Sequence, residues 1–382
     1  MLIKRTKPIS PSKIGVFSSC KLRYLLETEG AAVNRLSAGP VANIGTAVHE
    51  SIEALVACTE LDIGSVRKVL VGKLLEQFSS PEKSSKVASV AFERFGLKGV
   101  VRQVRLLLLC SYIKDVLGRM PSQTGIQRLA DSSAQLRSGQ IGIEKWVKSE
   151  SLSMAGRVDY SYFDESGCLH VVDFKTGQVA DDKGLPKAEY ELQVAAYASM
   201  LRDAVVAHQV RLHLEGPSGN WEGDLTPELE NRVRYAAREI NRSLPFDKVF
   251  EAREMASIGE HCRYCSVRPG CAKYLDRLMV GDVDSPSVIA DGDLHGTVIE
   301  SGVADGLVKV RLECHGTKRV TITGIPEILW HGEEAVCMFA LRTREVSGRA
   351  RYIANYHVLD VCDPQSSAFE YLAIPSPKLH EA

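Results

Sequence analysis

Three residues in this chain have the types and spacing for hydrolytic chemistry: Asp159, Asp173 and Lys175. They lie in two runs, residues 155–163 and 169–177, that alternate apolar and polar side chains and are rich in β-branched and aromatic residues. Asp164-Glu165-Ser166-Gly167 separates the runs, and the pattern predicts an antiparallel hairpin. A three-residue loop over 165–167, with Gly167 left-handed, pairs Asp164 with Cys168. Counting inward from that pair sets Asp159 opposite Asp173, and Lys175 shares their face. Two carboxylates held this close repel one another unless a divalent cation or a proton sits between them. A metal ion is the economical explanation, and a solvated hairpin face with a surface salt bridge is the plain alternative.

A second cluster of donors is Cys262-x₂-Cys265-x₅-Cys271. It offers three thiolates within one short loop, and a tetrahedral soft-metal site needs a fourth ligand. Four thiolates suit zinc and iron–sulfur chemistry equally, and His261 is a conceivable substitute ligand. Cys58, Cys110, Cys168, Cys314, Cys337 and Cys362 are scattered singly and read as packed residues.

The elements that must position these groups follow from periodicity. Residues 45–55 predict a helix with Val48, Ile52 and Leu55 on its buried face and His49 and Glu53 on a neighbouring one. Residues 141–147 read as the strand before the hairpin, with Glu144 either near the site or in a cross-strand surface role. Residues 187–202 predict a helix on which Gln193 and Tyr197 project together, an amide and a phenol one turn apart that can bond phosphate oxygens or the lysine. On their own they are an ordinary helix face.

Between about 61 and 136 the pattern is helical, broken at 79–85, and carries no chemistry; it reads as an insertion or a lid. A strand over 205–215 follows the Gln193 helix, and Thr226-Pro227 opens another helix to about 243. Residues 281–288 read as a linker. Five strands are then predicted, over 294–300, 307–314, 318–323, 335–343 and 352–361. They suggest a small β-barrel over 289–363, OB-like as the leading reading, although other small barrels fit. Arg342, Arg344, Arg349 and Arg351 flank one of its loops near Tyr352 and Tyr356, which suits phosphate contact with base stacking, and a protein-docking barrel is the competing reading. Residues 364–382 read as a flexible tail.

The 382 residues are 45% hydrophobic and 25% charged with a net charge of −1, the profile of a soluble protein of two or three domains. A near-neutral total still permits a local basic track, and Lys4, Arg5, Lys7 and Lys13 make a basic entrance. The start has no apolar core segment, and the most apolar helix, 104–116, is interrupted by Arg105 and Lys114. A secretory signal and a membrane span are therefore not expected, and a cytoplasmic location with reduced cysteines is. No Gly-x₄-Gly-Lys-Ser/Thr segment marks an ATP motor.

Taken together, Gly156-x-x-Asp159, Asp173-Phe174-Lys175-Thr176-Gly177 and Gln193-x-x-x-Tyr197 resemble the sequential motifs of the PD-(D/E)XK nucleases of the RecB type. More narrowly, they resemble the branch with the CRISPR-associated iron–sulfur exonucleases and the AddB nuclease. The resemblance runs from about Ser10 to Tyr274. It implies an α/β restriction-endonuclease-like core over 1–280, with the helical insertion and an iron–sulfur clip. It implies a metal centre of His49, from Gly45-x-x-x-His49, with Asp159, Asp173 and the Phe174 carbonyl, served by Lys175, Gln193 and Tyr197. The cation expected there is Mn or Mg, with manganese preferred because imidazole is a ligand.

Ser10-Pro11-Ser12 followed by Cys20-Lys21-Leu22-Arg23-Tyr24 is similar to the family's first cluster segment, with Lys21 where the family commonly has proline. Cys20 is thereby the implied partner of Cys262, Cys265 and Cys271 in a [4Fe–4S] cluster, with zinc as the alternative. The implied activity is exonucleolytic cleavage of DNA, single-stranded or at free ends, alone or with a helicase, CRISPR-adaptation or antiviral partner. The alternative is a non-catalytic DNA-binding or scaffold subunit.

Overall fold

The two alternating runs form the middle of a five-stranded sheet. In this computed structural model its strands are β1 (Gly142–Ser149), β2 (Met154–Phe163), β3 (Leu169–Phe174), β4 (Val210–Gly216) and β5 (Gly219–Asp224), side by side in that order. All neighbours are antiparallel except β3 and β4, which run parallel. The described residues are 1–30, 36, 40–56, 58, 61–80, 92–93, 96–120, 142–205, 207–246, 248–281, 288–290, 292–314, 318–327, 330, 332, 335–339, 341–346, 349–353 and 372–375.

In the hairpin, Tyr162 pairs with His170 and Tyr160 with Val172. Asp164 N–H donates to the Cys168 carbonyl at 3.0 Å, and Gly167 takes a φ of 81°, a left-handed geometry that glycine adopts without a Cβ clash. The register is therefore the one the turn residues predict, and its next step inward sets Asp159 against Asp173.

Helices cover both faces of the sheet. They are α1 (Lys21–Glu29), α2 (Pro40–Leu55), α3 (Ile63–Ser79), α4 (Gln103–Arg119), α5 (Ala188–Ala204), α6 (Pro227–Ser243) and α7 (Ala272–Val280). Leu169 and Val171 of β3 join a core with Val194, Ala198 and Leu201 of α5 and Val233 and Ile240 of α6. Val172 and Phe174 join a second core with Val48 and Ile52 of α2, Leu70 of α3 and Ile113 of α4. A strand covered on both faces reads as a continuous apolar run, which is why Val171 and Val172 are adjacent.

The crossover that a parallel pair requires is α5. It ends at Ala204, with Val205 N–H still donating to the Leu201 carbonyl, so the strand expected over 205–215 begins only at Val210. Thr226 caps α6 by accepting from Leu229 N–H, with Pro227 in the first turn, as its sequence signal predicts.

The segment expected as an insertion or lid is, in its described part, a structural layer. Helices α3 and α4 bury Val66, Leu70, Leu109, Ile113 and Val116 in the second core. Arg5, expected on a basic entrance, is fully buried and donates to Asn241 Oδ1 and the Leu244 carbonyl, while Lys13 pairs with Glu27. Short runs of lysine and arginine do not reveal which cations are spent on internal acceptors.

Beyond α7 lies a second sheet of β6 (Leu294–Ala304), β7 (Leu307–Cys314), β8 (Lys318–Pro326), β9 (Ala335–Phe339), β10 (Arg342–Val346), β11 (Arg349–Ile353) and β12 (Leu372–Pro375). Its order is β10-β11-β8-β7-β6-β9-β12, a curved half-barrel rather than the five-stranded barrel expected. The run 335–343 splits into β9 and β10, and the last expected strand starts earlier, at Arg349. Part of the expected tail is a strand, because Leu372, Ala373 and Ile374 pair with Phe339, Met338 and Cys337. Of the expected linker 281–288, residues 282–287 lie outside the described residues. Among the described residues, no helix is long and apolar enough to cross a membrane.

Candidate active site

At the inner end of the hairpin the ladder stops and side chains take over. Asp159 Oδ2 accepts from Phe174 N–H at 2.7 Å, filling the place of a cross-strand backbone bond and fixing the carboxylate beside Asp173. Asp173 is 2% exposed. Its Oδ1 accepts from Gln193 Nε2 at 2.9 Å, and its Oδ2 lies 2.5 Å from Lys175 Nζ. That second oxygen has no partner with hydrogen-bond geometry. Lys175 Nζ also donates to Gln193 Oε1 at 3.2 Å and sits 4.8 Å above the Tyr190 ring. Gln193 thus holds the acid with one end of its amide and the amine with the other.

Helix α2 brings His49 to the same point. Its Nε2 is 3.2 Å from the Phe174 carbonyl oxygen, and its Nδ1 is 3.3 Å from Glu144 Oε1 and 3.5 Å from Asp159 Oδ1. The described residues hold two groups of at least three donors all within 4.8 Å of one another, and His49 with Glu144 and Asp159 is one of them. Burial opposes charge on this imidazole, yet Asp159 and Glu144 outweigh it and lift His49 to about 10. Burial, with the Asp159 charge beside it, raises Asp173 well above the ordinary carboxylate range against the opposing pull of Lys175. At His49 the two acids therefore favour positive charge strongly enough to overcome burial.

Tyr197 completes the predicted set from α5. Burial, with Asp159 and Asp173 nearby, pushes its phenol far above the usual tyrosine range, so it remains a neutral hydroxyl. Gly156 explains its approach, since a Cβ there would lie 2.9 Å from Tyr197 Cε1 and 3.1 Å from Pro11 Cδ. The structure thus brings together His49, Asp159, Asp173, Phe174, Lys175, Gln193 and Tyr197 from α2, the hairpin and α5.

Comparison with known sequences decides what this arrangement belongs to: the sequence model of the PD-(D/E)XK nuclease superfamily matches residues 8–272. The chain belongs to that superfamily. No curated protein matches it. Solved structures similar to this PD-(D/E)XK chain include two proteins of low identity. A candidate exonuclease of Eubacterium rectale is 11% identical, with 62% of this chain and 80% of that one covered and a TM-score of 0.33. The protein SSO0001 is 15% identical, with 60% and 96% covered and a TM-score of 0.24.

Two further residues join this PD-(D/E)XK site. For Glu144, which the sequence leaves open between a site role and a surface role, the structure gives the first: its side chain is 4% exposed and faces His49 on one oxygen and Arg157 on the other, at 2.7 Å. Tyr190 gave no signal beyond sitting three residues before Gln193 on the same helix.

The four cysteines converge as well. Cys20, Cys262, Cys265 and Cys271 are all buried and line one small cavity with Arg23, Arg268 and His261. Burial raises the Cys262 and Cys271 thiols and pushes Cys265 up to about 12. His261 Nε2–H donates to the Ser257 carbonyl at 3.1 Å. Behind the cavity, Arg268 forms a buried two-pronged pair with Asp293, which also accepts from Tyr274. Arg342, Arg344, Arg349, Arg351 and Tyr352 fall on the β10–β11 hairpin, where Arg344 opposes Arg351. Tyr356 and Cys362 lie outside the described residues.

Proposed function

We propose that the chain is a metal-dependent deoxyribonuclease of the RecB-type iron–sulfur branch, degrading DNA from single-stranded or free ends. The observation that carries this is the meeting of Asp159, Asp173 and Lys175 beside His49 and Gln193. The residues fit a divalent cation, because carboxylate oxygens of Glu144 and Asp159 lie within 4.8 Å of an imidazole nitrogen of His49 and the donors are hard oxygens with that one imidazole. His49, Asp159, Asp173 and the Phe174 carbonyl would hold it. A cation held there would supply polarisation of the scissile phosphate and a lowered pKa for water.

The chain's own groups do the rest. Lys175 orients the attacking water and offsets phosphate charge, and Gln193 keeps the amine and Asp173 in register. Tyr197, held neutral, donates a hydrogen bond to the strand. With imidazole among the ligands, manganese is expected to outperform magnesium at equal concentration. The test is cleavage of end-labelled single- and double-stranded DNA with each ion supplied separately, by the parent and by Asp173→Ala. Loss of cleavage in the variant supports the reading, and cleavage at the parent's rate overturns it.

For the thiol cavity we infer a [4Fe–4S] cluster that clips the N-terminal segment to the loop before α7. What supports a soft-metal group there is the convergence of four buried thiols on one small cavity. Anaerobic purification should give a brown protein containing iron and sulfide; colourless protein with stoichiometric zinc overturns the assignment. The arginine-bearing hairpin of the C-terminal sheet would capture the strand with steep salt dependence.

A further inference from the structure

We propose that Glu144 is a third carboxylate ligand of the cation centre, and that Arg157 competes with the cation for it. This inference rests on the nuclease reading of the same site and adds a residue that the hairpin and helix motifs do not contain.

The geometry begins with a broken ladder. Ile143 pairs with Tyr160 and Lys145 with Val158, but the step between them, Glu144 against Asp159, makes no backbone pair. Glu144 has a φ of 51°, and it is one of only three non-glycine residues with positive φ among the described residues. A γ-carboxylate residue gains nothing intrinsic from this conformation, and such strain persists where surroundings enforce it, commonly at functional sites. Here the break places Oε1 at 3.3 Å from His49 Nδ1, in the group that includes Asp159 Oδ1. Asp173, the expected ligand, has meanwhile turned its oxygens to Gln193 and Lys175. Of the three acids at the centre, Glu144 and Asp159 are the ones grouped with the imidazole.

A buried carboxylate needs a counter-charge. Glu144 has two: the imidazole on Oε1 and the Arg157 guanidinium on Oε2 at 2.7 Å. The Arg157 side chain is 57% exposed, so this partner can exchange its carboxylate for another anion without unpacking a core. Cation and guanidinium therefore act on the same acid from opposite sides. Whatever weakens the Arg157 contact should strengthen cation binding, and a phosphate of the substrate is the natural competitor for the guanidinium.

This competition predicts opposite signs for the two halves of one ion pair. Glu144→Gln, nearly isosteric, should weaken Mn²⁺ binding about ten- to a hundred-fold, the range for losing a group that supports a metal site. Arg157→Gln should tighten it about two- to five-fold, the scale of a released exposed pair. The measurement is Mn²⁺ titration followed by electron paramagnetic resonance of the free ion, on the full chain without nucleic acid, with circular dichroism on each variant. Asp159→Asn is run alongside. Parent-like binding by Glu144→Gln while Asp159→Asn loses the ion overturns this proposal and leaves the nuclease reading standing. Weaker binding in both Glu144→Gln and Arg157→Gln also overturns it, since the pair would then be purely structural. A parent that binds no Mn²⁺ overturns the nuclease reading and this inference with it.

Discussion

The hairpin carries an acid–imidazole cluster at each end, and they have opposite characters. At the inner end His49 meets Asp159 and Glu144, and the acids lift it to about 10. At the turn, Asp164, Cys168 and His170 form the second group of donors within 4.8 Å among the described residues. There Asp164 Oδ1 accepts from Ser166 N–H, Ser166 Oγ–H and Cys168 N–H, and Oδ2 faces His170 Nε2 at 3.1 Å. His170 Nδ1 in turn lies 2.9 Å from His213 Nε2, and burial holds His213 down to about 4. Both groups bring ligand atoms close together, but the inner one sets two acids on one imidazole beside Asp173, whereas the oxygens of Asp164 are taken up by the turn's own donors and by His170.

The sharpest way to break that contrast is to remove one acid from each end. Asp173→Asn should lower metal-dependent cleavage by about 10²–10³-fold or more, because the amide cannot supply the missing charge. The absorbance of the thiol cavity should be unchanged in the same sample. A smaller loss is expected at Gly156, whose missing Cβ lets Tyr197 reach the acids. Gly156→Ala must displace Tyr197 or Pro11, costing about 1–3 kcal/mol of stability by denaturant unfolding and lowering turnover.

These effects show which parts of the site the sequence could carry. The turn signal at residues 164–168 set the register, and the register alone brought Asp159 to Asp173. Gln193 and Tyr197 followed from helical spacing. Glu144 was not resolvable in this way, because its position depends on a left-handed residue in mid-strand, and no alternation pattern encodes such a break. Arg5 was misread for a related reason: nothing local to residues 4–13 announces that Asn241 and the Leu244 carbonyl wait as acceptors. In the C-terminal sheet, strand existence was legible but pairing was not, since β8 and β11 join in parallel across an excursion and β12 returns from beyond residue 370.

At the turn, His213 offers a test through pH. Its folded pKa of about 4 lies below the usual value near 6.5, so above about pH 6.5 both folded and unfolded chains leave it neutral. As pH falls from about 6.5 to about 4, the unfolded chain takes up a proton that the folded one refuses, and stability declines. Between pH 7 and pH 5 this group should account for about 1 kcal/mol after allowance for its partial exposure. His213→Gln should remove that component, so urea unfolding of parent and variant at the two pH values isolates it. An equal decline in both proteins would mean that the imidazole protonates as readily in the fold as in the unfolded chain.

The smallest effect belongs to the acid at the tip. Burial opposes ionisation of Asp164, but Ser166, His170 and the Cys168 and Ser166 amides together outweigh it and bring the carboxyl down to about 2. Its stabilisation is therefore complete above about pH 4 and is lost as pH falls toward 2. Asp164→Ala deletes these contacts from a solvent-facing loop, so the expected cost at neutral pH is about 1 kcal/mol. Mn²⁺ affinity and cleavage should stay within two-fold of the parent, because every oxygen lone pair lost there was serving the turn. If Asp164→Ala instead released a bound metal ion, the tip cluster would be a second cation site, and the contrast between the two ends of the hairpin would fail.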